Sequence, residues 1–295
     1  MDSINKKDLD SLIKKSENEE TKDQVNKYLN EFMEKKAVLG IDVYQYSQYE
    51  YVEQTLIPIL LNEIFNETIH CCSELESFAF QNFDSETFMR ESIDTGDGGF
   101  FFFETPFHAV IFAIYFQSNI RRYISARSVN NWYLRTIVDN MIVRYCLTFD
   151  DVFGFNGKLY GPAIINNARI ISMDRLNRFL LDENTIDWFT IIMNGIENLQ
   201  VINTRDFTNI HIFDNYQNIT NEKSFFQDNQ RPDRGILVTD VMKIGEVKAK
   251  SNFLDVSSLH IKVRLFNIPG IYRFDTFTVT LGNLNSSGIS ENILK

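Results

Sequence analysis

Two aspartates lie in sequence surroundings that suit the binding of metal ions. Asp42 interrupts the apolar run of residues 37–43, which is typical of a buried strand. A buried carboxylate is energetically costly unless a cation or hydrogen-bond donors lie beside it. Asp97 lies in a glycine-rich turn, residues 94–99, where missing side chains let another segment approach closely. If the strand lies beside this turn, the two carboxylates converge at one edge of a sheet.

Convergent carboxylates of this kind favour a site for Mg²⁺ or Mn²⁺, because these hard cations prefer oxygen ligands. The carbonyl oxygen of Val43 could complete one coordination sphere. Two such ions serve phosphoryl transfer, since one activates an attacking hydroxyl and both stabilise the in-line displacement at phosphorus. Each aspartate alone has a simpler explanation: Asp-Gly is common in hairpin turns, and Asp42 could cap a strand end. The pair, in this order along the chain, favours the metal site.

The elements that must position these residues alternate between strands and helices. The strand of residues 37–43 precedes an apolar helix at residues 49–69, which Pro58 should kink or delay. The turn that carries Asp97 joins two strands into a hairpin. The further predicted segments are, in order, hairpin strands at 88–93 and 100–103, a helix at 106–124, a strand at 141–149, helices at 160–175 and 184–195, and closing strands at 199–213. This order predicts an α/β (α+β) sandwich with helices over one face of a mostly antiparallel sheet.

The strands and helices predicted above occupy residues 36–214, and the segments before and after them differ from this region in composition. Residues 1–35 carry many charges of both signs, and a capping-box pattern at residues 21–24 precedes an amphipathic stripe. They predict an N-terminal helical arm or, equally well, a solvated arm with one docked turn. Residues 215–234 are polar and predict a linker. Residues 235–295 alternate in β fashion, which predicts a small C-terminal β-rich region, a candidate sensor.

The overall composition argues against several classes of partner. The net charge of −11 disfavours a general nucleic-acid surface, because phosphate backbones demand an excess of Lys and Arg. No apolar run is long enough to span a bilayer, and residues 1–11 lack the apolar stretch of a signal peptide. The three cysteines have neither disulfide-framework nor zinc-ligand spacing. We therefore expect a cytoplasmic protein that binds neither membranes nor nucleic acid.

Three segments resemble the motifs of class III nucleotidyl cyclases. Residues Gly40–Ser47 resemble the family's first metal motif, and Thr95–Asp97 resemble its second. Residues Tyr160–Arg169 resemble its catalytic helix. The three occur in the family's order, within about residues 36–214.

This resemblance implies a ferredoxin-like class III cyclase domain that closes a nucleoside triphosphate into a 3′,5′-cyclic monophosphate. Two divalent metal ions per active site, Mn²⁺ or Mg²⁺, would be held by Asp42, the carbonyl of Val43 and Asp97. Arg169 would bind the triphosphate in the transition state, and Tyr46 would lie near the nucleotide. An exposed helical arginine without such a role is the simpler alternative for Arg169.

The chain departs from the purine cyclases at the positions that select the base. The purine cyclases have Lys or Glu shortly before the second metal aspartate, and this chain has Ile93 there. They have a small or acidic residue shortly before the catalytic helix, and this chain has Lys158 there. We take both as candidate substrate-binding positions. The family's catalytic asparagine falls at Ile165. Asn166 is our candidate to take that role through a small helical rotation, with Asn167 as the alternative.

A cyclase core without the purine pattern resembles the pyrimidine cyclases of bacterial antiphage (Pycsar) systems. That resemblance implies a homodimer with shared active sites, in which the metal aspartates come from one subunit and Arg169 from the other. It implies conversion of UTP to cyclic UMP, or of CTP to cyclic CMP, and a separate effector protein that reads the product. Two alternatives stay open: a non-catalytic cyclase-like nucleotide-binding module, which Ile165 supports, and another two-metal phosphoryl-transfer enzyme, such as a diguanylate cyclase or a polymerase-like palm domain.

Overall fold

The computed structural model describes most of the central part of the chain and several strands near its end. The described residues are 3–4, 27, 32–125, 137, 141–155, 157–193, 235–249, 252–266 and 276–282. The strands are β1 (Ser3–Ile4), β2 (Met33–Val43), β3 (Ile93–Asp94), β4 (Gly98–Phe103), β5 (Val143–Phe155), β6 (Lys158–Tyr160), β7 (Phe179–Asp182), β8 (Gly235–Ala249), β9 (Asn252–Phe266) and β10 (Thr276–Leu281). The helices are α1 (Tyr51–Leu75), α2 (Ser85–Glu91), α3 (Pro106–Ser125), α4 (Pro162–Met173) and α5 (Glu183–Met193).

The described strands form one sheet in the order β10-β9-β7-β5-β2-β4-β3. β1 and β6 lie beside β5, and β8 lies beside β9. Among these strands, neighbours are antiparallel except for β5 with β7 and β1 with β5. The predicted α/β class and the mostly antiparallel sheet are therefore confirmed. β2 lies near the centre, between β4 and β5, and so its end is held from both sides.

One face of the sheet carries the main hydrophobic core. Leu39 of β2 is fully buried there, α3 lies over β2, and α1 packs against α3. Residues 109–116 of α3 are buried without interruption. Phe65 of α1 packs on Phe101 and Phe116 at ring-centroid distances of 4.4 and 4.6 Å. Because a fully buried Phe contributes roughly 1.5–3 kcal/mol, this aromatic layer is a main source of stability.

A helix also covers the opposite face of the sheet, which the sequence analysis did not predict. Val38 of β2 packs there in a separate cluster with Phe102, Val152 and Ala163, the last of which belongs to α4. α4 contacts both β2 and β5. Since β2 is central and apolar on both sides, it needs cover on both faces. The prediction that helices cover one face was therefore wrong for α4.

The first strand of the predicted hairpin is mostly helical. Residues 85–91 form α2, and only Ile93–Asp94 are in a strand. The carboxylate of Asp84 explains the difference, because it accepts hydrogen bonds from two amides of the first helical turn at 3.3 Å. Phe88, which suggested a strand, is the buried residue of this helix. The hairpin itself is present, with β3 paired to β4.

α1 begins earlier than the position of Pro58 suggested. The helix is continuous from Tyr51 through Pro58, because Glu50 and Glu53 form a capping box at its start. The predicted delay of the helix was therefore wrong. Neither α1 nor any other described helix is both long and apolar enough to cross a membrane.

Several predicted segments lie outside the described residues. These are most of the N-terminal arm, the closing strands at 199–213 and the linker at 215–234. Within the described part, Lys27 is helical, and β2 begins at Met33, before the predicted strand. β7 was not predicted, because a four-residue apolar run is too short to reveal a period.

The C-terminal strands belong to the same sheet as the rest. β9 pairs with the whole length of β7, and β8 and β10 lie on either side of β9. Leu259, Ile261 and Val263 of β9 are buried in the main core. The region beyond the predicted linker thus extends the central sheet instead of forming a sheet of its own. The domain boundaries stay a prediction.

Asp182, just before α5, should make the protein less stable as the pH rises. Burial raises its pKa from 3.8 to about 6, although hydrogen bonds from Thr185 and from the amide of Phe149 oppose the shift. Because the folded pKa lies above the unfolded one, the native state binds the proton more tightly. This contribution is complete below about pH 4 and is lost as the pH rises through about 6.

Asp182→Asn should remove this pH dependence. Relative to wild type, its free energy of unfolding should rise by about 2 kcal/mol between pH 4 and pH 7. Urea unfolding at each pH measures the difference, and Asp187→Asn, at an exposed carboxylate of α5, is the matched control. A constant difference between Asp182→Asn and wild type across this range would show that the carboxylate is not perturbed.

Candidate active site

β2 and the turn before β4 bring Asp42 and Asp97 together. Asp42 lies opposite Gly98 in the antiparallel pair, and the amide of Val43 donates a hydrogen bond to the carbonyl oxygen of Asp97 at 2.9 Å. The approach is closer than a side chain would permit, since a Cβ on Gly98 would lie 1.9 Å from the carbonyl oxygen of Ile41. The glycine after Asp97 is therefore required for this arrangement.

The turn that carries Asp97 is fixed by its own hydrogen bonds. A carboxylate oxygen of Asp94 accepts a hydrogen bond from the amide of Gly96 at 2.7 Å. The amide of Thr95 donates to the carbonyl oxygen of Gly98 at 3.2 Å. Gly96 has a φ of 86°, which residues with a Cβ rarely adopt. The carboxylate of Asp94 therefore stabilises the turn, whereas the carboxylate of Asp97 takes no part in these hydrogen bonds.

Asp42 and Asp97 line one cleft of about 400 Å³. The loop after β2, including Tyr46, and the segment after α4, including Asp174, form other parts of its wall. Val43 also lines the cleft, although the residue as a whole is only 1% exposed. The three residues predicted as metal ligands are therefore brought together.

Arg144 is a residue of this cleft that the sequence analysis missed. It lies opposite Asp42 on β5, and its Nε donates a hydrogen bond to Oδ2 of Asp42 at 2.5 Å. Burial raises the pKa of Asp42, the contact with Arg144 lowers it, and the negative charge of Asp97 raises it further. An arginine within the mostly apolar strand of residues 143–149 was the signal that could have identified it.

The oxygen donors of the cleft suit a hard divalent cation. Within the described ranges, no three His, Cys, Asp or Glu side chains form a group that could hold a metal by themselves. Two carboxylates and a main-chain carbonyl are nevertheless a sufficient protein contribution for Mg²⁺, which keeps water and takes further ligands from substrate phosphates. Two like charges in a partly buried cleft also favour a nearby cation. The site therefore fits metal ions whose coordination an anionic substrate completes.

Tyr46 is held in the wall of the cleft by a hydrogen bond. Its hydroxyl donates to the carbonyl oxygen of Gln54 in α1. Gln45, just before it, has a left-handed backbone with a φ of 56°, which turns the chain from β2 into a short 3₁₀ helix. Burial raises the pKa of the Tyr46 hydroxyl, and the charge of Asp97 adds to the shift. A fixed aromatic ring beside the carboxylates is suited to pack on a base or a ribose.

The residues of α4 that the resemblance assigned to catalysis do not line this cleft. Arg169 and Asn166 are half-exposed on the helix, and α4 contributes Ser172 to the cleft wall instead. Ile165, at the position of the family's asparagine, is 51% exposed. Within one chain, the carboxylates predicted to bind metal therefore line the cleft, whereas the predicted catalytic arginine and asparagine do not.

Asn167 has a structural role that excludes it as the replacement for the catalytic asparagine. Its side chain is fully buried, and its amide nitrogen donates to the carbonyl oxygens of Val38 at 2.7 Å and Cys146 at 2.9 Å. It thereby ties α4 to β2 and β5. Its Oδ1 lies against Gly40, where an added Cβ would be 2.1 Å away. Asn166 stays the candidate for the catalytic role.

The two predicted base-selecting positions also lie outside the cleft. Ile93 packs against the cluster of Val38 and Phe102 on the α4 face of the sheet. Lys158 is exposed on β6, and its neighbour Leu159 belongs to the same cluster. Neither position lines the cleft. Together with α4, these positions form a second group of candidate residues, apart from the carboxylates.

A larger cavity of about 560 Å³ lies between the starts of α2 and α3. Phenylalanines form much of its wall, and two of its carboxylates already have partners: Asp84 caps α2, and Glu104 pairs with Lys36. His108 hydrogen-bonds the hydroxyl of Thr105 at 2.8 Å, and burial lowers its pKa. Because these groups serve the fold, the smaller cleft is the better candidate for chemistry.

No protein-family model matches this chain, and no curated protein matches it. Solved structures show a likeness. The adenylate/guanylate cyclase/hydrolase from Silicibacter pomeroyi is 13% identical over 77% of this chain and 96% of that chain, with a TM-score of 0.40. The adenylyl cyclase CyaB from P. aeruginosa is 13% identical over 77% and 94%, with a TM-score of 0.42. An adenylate cyclase from Trypanosoma brucei is 12% identical over 83% and 94%, with a TM-score of 0.40.

Gly40→Ala should destabilise the protein and loosen the attachment of α4. The new Cβ would lie 2.1 Å from Oδ1 of Asn167, so the amide of Asn167 would have to leave its two carbonyl partners. We expect a loss of roughly 1–3 kcal/mol in the free energy of unfolding, because those buried groups lose hydrogen bonds. Urea unfolding followed by circular dichroism measures this loss.

The double variant Gly40→Ala/Asn167→Ala is the control for this clash. Removal of the Asn167 amide makes room for the new Cβ, although Asn167→Ala is itself destabilising. The cost of Gly40→Ala should therefore be smaller by about 1 kcal/mol or more in the Asn167→Ala background. Equal costs in the two backgrounds would mean that the contact with Asn167 is not the cause.

Proposed function

We propose that this chain is a pyrimidine nucleotide cyclase that converts UTP to 3′,5′-cyclic UMP and pyrophosphate with two divalent metal ions. The observation that carries the proposal is the convergence of Asp42, Val43 and Asp97 in one cleft. The motifs resemble the pyrimidine cyclases of bacterial antiphage systems. We therefore assign the product to antiphage signalling in the cytoplasm, where a separate effector protein reads it.

The chain's own residues divide the work of this reaction. Bound metal ions, Mn²⁺ or Mg²⁺, supply activation of the ribose 3′-hydroxyl and stabilisation of charge at the α-phosphorus. Asp42, Asp97 and the carbonyl of Val43 would hold them, and Tyr46 would pack against the ribose or base. Arg169 would bind the triphosphate and offset the charge of the departing pyrophosphate.

The separation of the candidate residues into two groups supports a homodimer with shared active sites. The carboxylates line the cleft, whereas Arg169 and Asn166 lie outside its wall on α4. Large apolar side chains near them are exposed, among them Tyr160 at 43% and Ile165 at 51%. Burial of this apolar surface against a second copy would be favourable. It would also bring Arg169 of one subunit to the carboxylates of the other.

The choice of a pyrimidine base rests on the two positions that select purines in the family. Ile93 offers no polar side-chain atom, and Lys158 reverses the expected charge. Neither matches the purine pattern. UTP is our first choice because the uridylate activity is the commoner one in the family that the chain resembles, and cyclisation of CTP is the alternative.

Purified protein with Mn²⁺ and each of the four nucleoside triphosphates should yield cyclic UMP as the main product, identified by mass spectrometry. Asp97→Ala should lower kcat by at least about 100-fold, because it removes a group that stabilises the transition state through the metal ions. Asp187→Asn, at an exposed carboxylate of α5, should keep wild-type activity. Cyclic AMP as the main product would overturn the pyrimidine assignment, and no cyclic product from any triphosphate would overturn the cyclase.

Two inactive variants should complement each other if the sites are shared. A dimer of one Asp97→Ala chain and one Arg169→Ala chain has one intact site. Random mixing should restore roughly a quarter of the wild-type rate, because about half of the dimers are mixed and each has one working site. A mixture of Asp42→Ala with Asp97→Ala is the control and should stay inactive, since both defects lie in the same half-site. Activity in the control, or none in the first mixture, would contradict shared sites.

A non-catalytic nucleotide-binding module is the second candidate function. Its support is the exposed Ile165 at the place of the catalytic asparagine, together with the burial of Asn167. Tight binding of a triphosphate without turnover would favour this function. Another two-metal enzyme would have no need of Arg169, so an Arg169→Ala variant with intact activity would point to that class.

A further inference from the structure

Arg144 makes three contacts that fix its guanidinium in the wall of the cleft. Its Nε donates to Oδ2 of Asp42 at 2.5 Å, and a terminal nitrogen donates to the carbonyl oxygen of Asp174, just after α4. Its guanidinium carbon lies 5.2 Å from the centre of the Tyr44 ring, within cation–π distance. A planar group held in this way has one orientation, and it imposes that orientation on the Asp42 carboxylate.

The second acceptor of Arg144 is itself rigid. The side chain of Asp174 is buried, and its carboxylate accepts hydrogen bonds from Nε of Arg178 at 2.6 Å and from the amide of Leu176 at 3.2 Å. The amide of Tyr145 donates to the carbonyl oxygen of Arg178 at 2.9 Å. Arg144 is therefore anchored to a fixed segment of the chain.

We propose that Arg144 is the positioning residue of the metal site. It holds Oδ2 of Asp42, and the other carboxylate oxygen would be left to bind a cation. This inference rests on the proposed function, because it assigns a role within the same site. Hydrogen-bond partners of metal ligands commonly contribute about 10- to 100-fold to metal affinity, and Arg144 is such a partner.

A purely structural or electrostatic role would require only a positive charge near Asp42. The side chains of Arg144 and Asp42 are 14% and 24% exposed, so the pair is largely shielded from solvent. A lysine would supply the same charge. Its single ammonium group cannot reproduce the planar fork that joins Asp42 to the carbonyl of Asp174. The two roles therefore predict different behaviour for Arg144→Lys.

Mn²⁺ titration in the presence of 3′-deoxy-UTP tests the proposal without turnover, because this nucleotide lacks the attacking hydroxyl. By electron paramagnetic resonance, Arg144→Lys and Arg144→Ala should bind Mn²⁺ about 10- to 100-fold more weakly than wild type. Added guanidinium ion, below denaturing concentrations, should restore binding to Arg144→Ala. In activity assays the Mn²⁺ concentration for half-maximal rate should rise by the same factor, while kcat at saturating Mn²⁺ falls less.

Arg90→Ala, at an exposed arginine of α2, is the matched control and should bind Mn²⁺ as wild type does. Wild-type affinity in Arg144→Lys would overturn the proposal. Tighter binding would also overturn it, since Arg144 would then compete with the metal. Thermal melting shows whether each variant is folded. If Arg144→Ala does not fold, the Mn²⁺ affinity of Arg144→Lys relative to wild type is the test.

The two proposals fail in different ways. An active wild type with an unimpaired Arg144→Lys variant would remove only the positioning role. A wild type that binds Mn²⁺ but cyclises no triphosphate would remove the proposed function. A wild type that binds no Mn²⁺ with 3′-deoxy-UTP present would overturn both.

Discussion

The close approach of β2 to the turn that carries Asp97 is the constraint on which the candidate site depends. It is set by main-chain contacts: the hydrogen bond from Val43 to Asp97 at 2.9 Å, and the packing of Gly98 against the backbone of Ile41. Because these contacts belong to the sheet, the spacing of Asp42 and Asp97 is fixed by the backbone before any ligand arrives. A site of this kind requires little reorganisation when charged groups bind, which is the condition under which fixed electrostatic groups act most strongly.

The same constraint creates an electrostatic problem that the chain solves only in part. Asp42 and Asp97 are held near each other, and the negative charge of Asp97 raises the pKa of Asp42. Arg144 offsets this repulsion at Asp42 through one carboxylate oxygen. Arg175 also lines the cleft, and the oxygen donors beside it suit divalent cations, which would supply further positive charge. The strand register thus brings together the two carboxylates and the arginine that contacts one of them.

The convergence of Asp42 and Asp97 could be predicted from sequence because its signals are local. A carboxylate within an apolar run and an aspartate among glycines can be recognised without knowledge of the fold. Arg144 could not be assigned in this way, since its partner Asp42 is 102 residues away and the pairing depends on strand register. The sequence likewise left Asn166 and Asn167 as alternatives. Packing of α4 against β2 decides between them, because it buries Asn167 and leaves Asn166 half-exposed.

The element boundaries that were mispredicted have equally physical causes. Asp84 caps a helix where the apolar residues suggested a strand, and the capping box at Glu50 starts α1 ahead of Pro58. The short strand β7 shows no periodicity in four residues, yet it joins β5 to the C-terminal strands. Side-chain hydrogen bonds and long-range pairing therefore overrode the local hydrophobic pattern at these places.

The attachment of α4 to one face of β2 limits how far this helix can move. Asn167 ties α4 to the carbonyl oxygens of Val38 and Cys146, and α4 covers the apolar cluster on that face. A movement of α4 away from β2 would break these hydrogen bonds and expose Val38 to water. Both changes are unfavourable in a closely packed interior. In the proposed homodimer, a second copy would supply Arg169 without such a movement, and Ile165, which is exposed in one chain, could lie at the interface. The proposed shared site is therefore compatible with the packing of α4 in each chain.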